Sequence, residues 1–82
     1  MTNLFRIRDI DLADPEGLPA FIEFCQDNDV NFYIEKVKGP NGFPTCVLIS
    51  SHRPSIMKVM VEYCGGDERA AVDLFDEKIE AV

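Results

Sequence analysis

The hexapeptide Thr45-Cys46-Val47-Leu48-Ile49-Ser50 is apolar at both parities, and a strand that offers apolar side chains to both faces belongs in the middle of a sheet. Its flanks define its neighbours. Upstream, Asn31-Phe32-Tyr33-Ile34-Glu35-Lys36-Val37 is rich in aromatic and β-branched residues. The intervening Lys38-Gly39-Pro40-Asn41-Gly42-Phe43-Pro44 supplies Gly, Pro and Asn-Gly turn chemistry, so the two strands form a hairpin with a long loop. Near the start, Leu4-Phe5-Arg6-Ile7-Arg8 alternates Phe5 and Ile7 against Arg6 and Arg8, the period of a half-buried strand.

Helical spacing fills the rest of the chain. Asp14-Pro15-Glu16-Gly17 reads as a turn, and because Pro19 is tolerated only in a first helical turn, the first helix begins near Leu18. Leu18, Phe21, Ile22 and Cys25 follow one helical stripe, which Phe24 broadens. Pro54 opens a second helix carrying Ile56, Val59, Met60 and Tyr63 on one face, and Gly65-Gly66 ends it. Asp67 caps a third helix, in which Ala71, Leu74, Phe75, Ile79 and Val82 point inward while Asp73, Asp76, Glu77 and Glu80 point outward.

The predicted class is therefore α+β, in the order β-α-β-β-α-α. A right-handed first crossover gives a three-stranded sheet of order 1-3-2, with the helices on one face and both outer strands as edges. The topology resembles a ferredoxin-like two-layer sandwich whose fourth strand has been replaced by a helix. That likeness lies in the arrangement of elements and implies no site residue. A chain of 82 residues suffices for one domain, residues 1–82, and one core. The edge left by the missing strand needs a cover: the last helix, charged residues such as Arg6 and Arg8, or another chain. Homodimerisation is therefore one expected association.

Charge narrows the partners. The formal net charge is −7, and residues 9–29 contain Asp9, Asp11, Asp14, Glu16, Glu23, Asp27 and Asp29 with no Lys or Arg. Residues 65–82 add Asp67, Glu68, Asp73, Asp76, Glu77 and Glu80 against Arg69 and Lys78. Such a field repels phosphate backbones, which disfavours direct nucleic-acid binding, and attracts a protein with a basic surface. The same carboxylates also serve simply to solvate helix surfaces. With no apolar run of signal-peptide or membrane-spanning length, and with an odd number of widely spaced cysteines, the expectation is a cytoplasmic protein without membrane contact.

Several chemistries are disfavoured by residue pattern. The stretch Cys25-Gln26-Asp27-Asn28-Asp29-Val30-Asn31-Phe32 spaces oxygen ligands as a calcium loop does, but counting from Asp27 the sixth and twelfth positions hold Phe32 and Lys38 instead of Gly and Glu. It reads instead as a helix end, with Asn28 or Asp29 in a left-handed conformation. Cys25, Cys46 and Cys64 lack the paired spacing of a zinc site and read as core thiols. The signatures of common nucleophiles, phosphate loops and dinucleotide sites do not occur, and His52 is the sole histidine. The expectation is a non-enzymatic protein with no cofactor and no metal.

Two candidate sites remain. The first is a partner-binding surface made by Asp73, Asp76, Glu77 and Glu80, with Phe43 at a loop tip as an aromatic anchor. It suits a small regulator or inhibitor of a protein partner, by carboxylates that imitate a phosphate path, similar to anti-restriction and anti-CRISPR inhibitors. The second is a ligand-binding regulatory site in which Ser51, His52, Arg53 and Ser55 hold an anion at a helix N-terminus. The alternative for that turn is a plain helix cap, with Ser51 or Ser55 satisfying the helix end.

Overall fold

A computed structural model describes residues 4–80. Strand β1 (Phe5–Asp11) leads into helix α1 (Leu18–Asp27), then β2 (Asn31–Lys36), β3 (Thr45–Ser50), α2 (Arg53–Tyr63), α3 (Glu68–Lys78) and β4 (Ile79–Glu80). The strands form one antiparallel sheet in the order β2-β3-β1-β4. The α+β class and the adjacency of strands one, three and two follow the sequence. The three-stranded sheet does not.

The correction is β4. The last helix stops at Lys78, and Ile79 and Glu80 turn back to pair with Ile7 and Arg6. A fourth strand is therefore present in addition to the extra helix, and β1 is covered along part of what was expected to be an open edge. Glu80 consequently leaves the outer face of α3. Ile79 still packs against the core, now from a strand. Val82, assigned to the inner face of that helix, lies outside the described residues.

β1 is also longer than its alternation predicts. Ile7 pairs with Leu48 and Ile10 with Cys46, so Arg8 and Asp9 together oppose the single residue Val47. Asp9 adopts φ +57°, in the left-handed region. This β-bulge shifts the parity by one, so Ile7 and Ile10 both face the core although they are three residues apart.

The helices pack on one face, α1 over β2, α2 over β3 and α3 over β1. Ile7, Ile10, Cys46 and Leu48 from the sheet meet Cys25, Ile56, Val59, Met60, Ala71 and Phe75 from the helices in one buried cluster. The ends of α1 and α2 share one device. The Val30 amide donates to the Cys25 carbonyl at 2.9 Å and the Gly66 amide to that of Val61 at 2.9 Å. Each closure follows a residue of positive φ, Asp29 at +58° and Gly65 at +68°. Asp29, one of the two residues expected to take this conformation, thus ends the first helix. Among the described residues no helix is long and apolar enough to cross a membrane.

The face without helices has its own cover. Val47 is only 4% exposed although it points away from the helix layer. Arg8 on β1 and Glu35 on β2 reach each other across β3, with Nε and Nη2 of Arg8 donating to Glu35 Oε2 at 2.8 and 2.5 Å. Arg8 Nη1 also donates to Glu80 Oε2 at 3.1 Å. Both Arg8 and Glu35 sit at register shifts in their strands, which aim the two side chains over Val47. The hydrogen-bonded guanidinium holds the Glu35 carboxyl below its ordinary range, and Glu35 and Glu80 push Arg8 up. The Arg8 guanidinium thus keeps its charge paired on both sides, with Glu35 and with Glu80.

Candidate functional site

The residues singled out by sequence do not form one site. Asp73, Asp76 and Glu77 lie exposed on α3, as its helical stripe requires, with Val72 (44% exposed) among them. Asp67 caps this helix by accepting from the Ala70 amide at 3.0 Å. Glu80 is elsewhere, bound to Arg8 on the sheet. Phe43 is 42% exposed in the β2–β3 loop, whose shape is held by the Gly39 amide donating to the Phe43 carbonyl at 2.6 Å.

Ion pairing is unevenly distributed. The described residues form three ion pairs: Arg8 with Glu35, Arg8 with Glu80, and Lys78 with Glu77 at 4.0 Å. Two of these lie on the helix-free sheet face and share Arg8. Asp73 and Asp76 take part in none. Asp73 and Asp76 on the helix layer are therefore exposed carboxylates outside any ion pair among the described residues.

The 51–55 turn is occupied by its own contacts. His52 is the N-cap of α2, and its Nδ1 lies 2.7 Å from Ser55 Oγ. The Ser50 hydroxyl accepts from the His52 amide at 3.1 Å. Arg53 lies with its guanidinium carbon 5.2 Å from the Phe75 ring centroid, a cation–π geometry that draws the charge toward the α3 side. Ser51 is exposed. Neither Ser51 nor Ser55 makes the expected capping bond, since α2 has no side-chain cap. Ser55 bonds the His52 ring instead.

The thiols are core groups. Cys25 and Cys46 are buried and Cys64 is partly so. Burial pushes the Cys25 thiol up to about 11 and the Cys46 thiol up to about 12, so both stay protonated and poorly nucleophilic at neutral pH.

One feature escaped the sequence reading. Of the α1 stripe only Cys25 is buried; Leu18, Phe21, Ile22 and Phe24 stay partly exposed. Leu18, Phe21 and Phe24 line a cavity of about 710 Å³ with Leu12 and Tyr63, between α1, the end of β1 and the end of α2. The Tyr63 hydroxyl donates to the Asp11 carbonyl at 2.6 Å and ties α2 to the strand. Asp11, Asp14 and Glu62 also line the cavity. The available signal was the breadth of the α1 stripe: Phe24 widens it beyond the face that one sheet can cover.

No family model, no curated protein sequence and no solved structure matches the chain.

Proposed function

We propose that this protein is a non-enzymatic interaction module that docks its acidic helix layer onto a basic protein surface and so regulates or inhibits that partner in the cytoplasm. The observation that carries this reading is the separation of charge. Arg8 engages both Glu35 and Glu80 on the sheet face, whereas Asp73 and Asp76 on α3 are exposed and take part in no ion pair among the described residues. Exposed carboxylates on a rigid helix steer a cationic partner and set its orientation more than they deepen its affinity. Val72 and Phe43 offer apolar contact outside the core. In the sharper form of the reading, the carboxylates stand in for phosphates and the partner is a nucleic-acid-binding protein.

Immobilised protein should then retain a basic protein from an extract of its source cells, and retention should fall between about 50 and 300 mM salt. Reversing the face with Asp73→Lys, Asp76→Lys and Glu77→Lys together should weaken retention about tenfold, since each exposed charge contributes about 0.2–1 kcal/mol. Duplex DNA should displace the partner if the phosphate imitation holds. Equal retention by the triple variant removes α3 from the interface.

A further inference from the structure

The cavity between α1 and α2 combines two features that select one kind of occupant. Its floor is apolar: Leu12, Leu18, Phe21, Phe24 and Tyr63. Its rim carries Asp11, Asp14 and Glu62, with no Lys or Arg among the lining residues. A volume of about 710 Å³ lies within the range of binding clefts, about 300–1,000 Å³. The exposed Ala13, Asp14, Ala20 and Glu62 among its walls make it an open trough rather than an enclosed chamber.

The rim is partly fixed in place. Asp14 Oδ1 accepts from the Gly17 amide at 3.2 Å and Asp11 Oδ2 from Asn41 Nδ2 at 2.8 Å. Each bond engages one carboxylate oxygen. Glu62 stands on the opposite wall, at the end of α2. The surrounding field is negative as well, because residues 9–29 hold seven carboxylates and no basic side chain.

An anionic or wholly polar ligand would strand the apolar floor or face repulsion at the rim. A neutral apolar ligand would leave the carboxylates unused. We propose that this trough binds a basic amphipathic peptide segment of a partner protein, with one or two large apolar side chains seated on Phe21, Phe24 and Tyr63 and flanking Lys or Arg side chains meeting Asp11, Asp14 and Glu62. The assignment rests on the reading that the partner is basic, and moves the anchoring contact from α3 to α1. Half-exposed apolar side chains on α1 are then the receiving surface of a helix-in-groove contact.

The test uses a fluorescein-labelled helical peptide of about 18 residues built from Leu and Lys, read by anisotropy at about 100 mM salt. Its counterpart has Leu replaced by Gln at the same charge. The full chain should bind the Leu/Lys peptide about tenfold more tightly than the Gln/Lys peptide. Ala20→Trp, at an exposed wall position, fills the trough; Glu62→Lys reverses the rim without touching the core. Each should weaken binding by about five- to tenfold, while Asp73→Lys with Asp76→Lys should change it less than about threefold.

Unchanged binding by both trough variants overturns the proposal, as does equal affinity for the Gln/Lys peptide. Complete displacement by spermine at equal charge concentration also overturns it, because the site would then recognise cations without an apolar anchor. Loss confined to the α3 double variant defeats the trough and leaves the α3 reading standing. Loss confined to the trough variants does the reverse.

Discussion

Phe75→Ala is expected to destabilise the protein by about 3–5 kcal/mol. Phe75 is 4% exposed on α3 and belongs to the buried cluster. Its ring centroid lies 6.4 Å from that of Phe5 on β1, and the Arg53 guanidinium carbon lies 5.2 Å from it. One side chain therefore links α3 to the first strand and to the start of α2. Removing it opens a cavity among three elements and uncovers the Arg53 contact. A domain of this length holds about 4–12 kcal/mol in all, so the loss takes about a quarter of the stability or more. In urea, with a slope of about 1 kcal/mol per molar, the midpoint should fall by about 3–5 M, which for a protein at the low end of that range means no folded baseline. Phe75→Leu, which restores most of the volume, should cost about 1 kcal/mol. A cost below about 1 kcal/mol for the alanine variant would mean that α3 is not docked as described.

The second expected result is an asymmetry between neighbours on β3. Leu48 faces the helices and is fully buried; Val47 faces the other way and is 4% exposed. Exposure alone makes them look equivalent. Their covers differ. Leu48 lies under packed helices, so Leu48→Ala leaves a cavity that rigid elements cannot close, costing about 3–4 kcal/mol. Val47 lies under the paired side chains of Arg8 and Glu35, which can settle onto a smaller residue, and Val47→Ala should cost about 1 kcal/mol. Removing the cover with Arg8→Ala should make Val47→Ala cheaper still, because the valine is then already wet. Equal costs for Leu48→Ala and Val47→Ala, or additivity of Val47→Ala with Arg8→Ala, would show that the bridge does not shield the strand.

That asymmetry also explains which parts of the fold were legible. The apolar run at 45–50 correctly predicts an interior strand, but the reason is only half the expected one. Helices cover one face of β3 and a salt-bridged arginine covers the other. β1 was readable as far as Arg8, where the bulge at Arg8 and Asp9 breaks the two-residue period. No local alternation survives such a shift, so Ile10 and Leu12 could not be counted with Ile7.

β4 was hidden for a different reason. Ile79 stands four residues after Phe75, as a helical stripe requires, and the same side chain also faces the core from a strand beginning at that residue. A two-residue strand has no period to detect, and the pairing with Arg6 and Ile7 is a long-range event. The helix ends were clearer because Asp29 and Gly65-Gly66 carry local backbone chemistry.

The candidate site was legible in kind and only partly in place. Asp73, Asp76 and Glu77 are exposed because helix periodicity puts them opposite Ala71 and Phe75. Glu80 was misplaced with β4. The trough was not readable from spacing, since its walls come from residues as far apart as Asp11 and Tyr63. Its floor lay in plain view as the excess apolar width of α1.

The central claim is that recognition belongs to the helix layer and not to the sheet face, where Arg8 is held by Glu35 and Glu80. Amide chemical-shift mapping of the isotopically labelled protein, with the Leu/Lys peptide or a captured partner added, tests it most directly. The account predicts shifts gathered on α1, the 11–14 segment and the end of α2, extending to α3 for a whole partner. Shifts gathered on Asn31–Lys36 and on the Val47 face of β3, with the helices unperturbed, would contradict it.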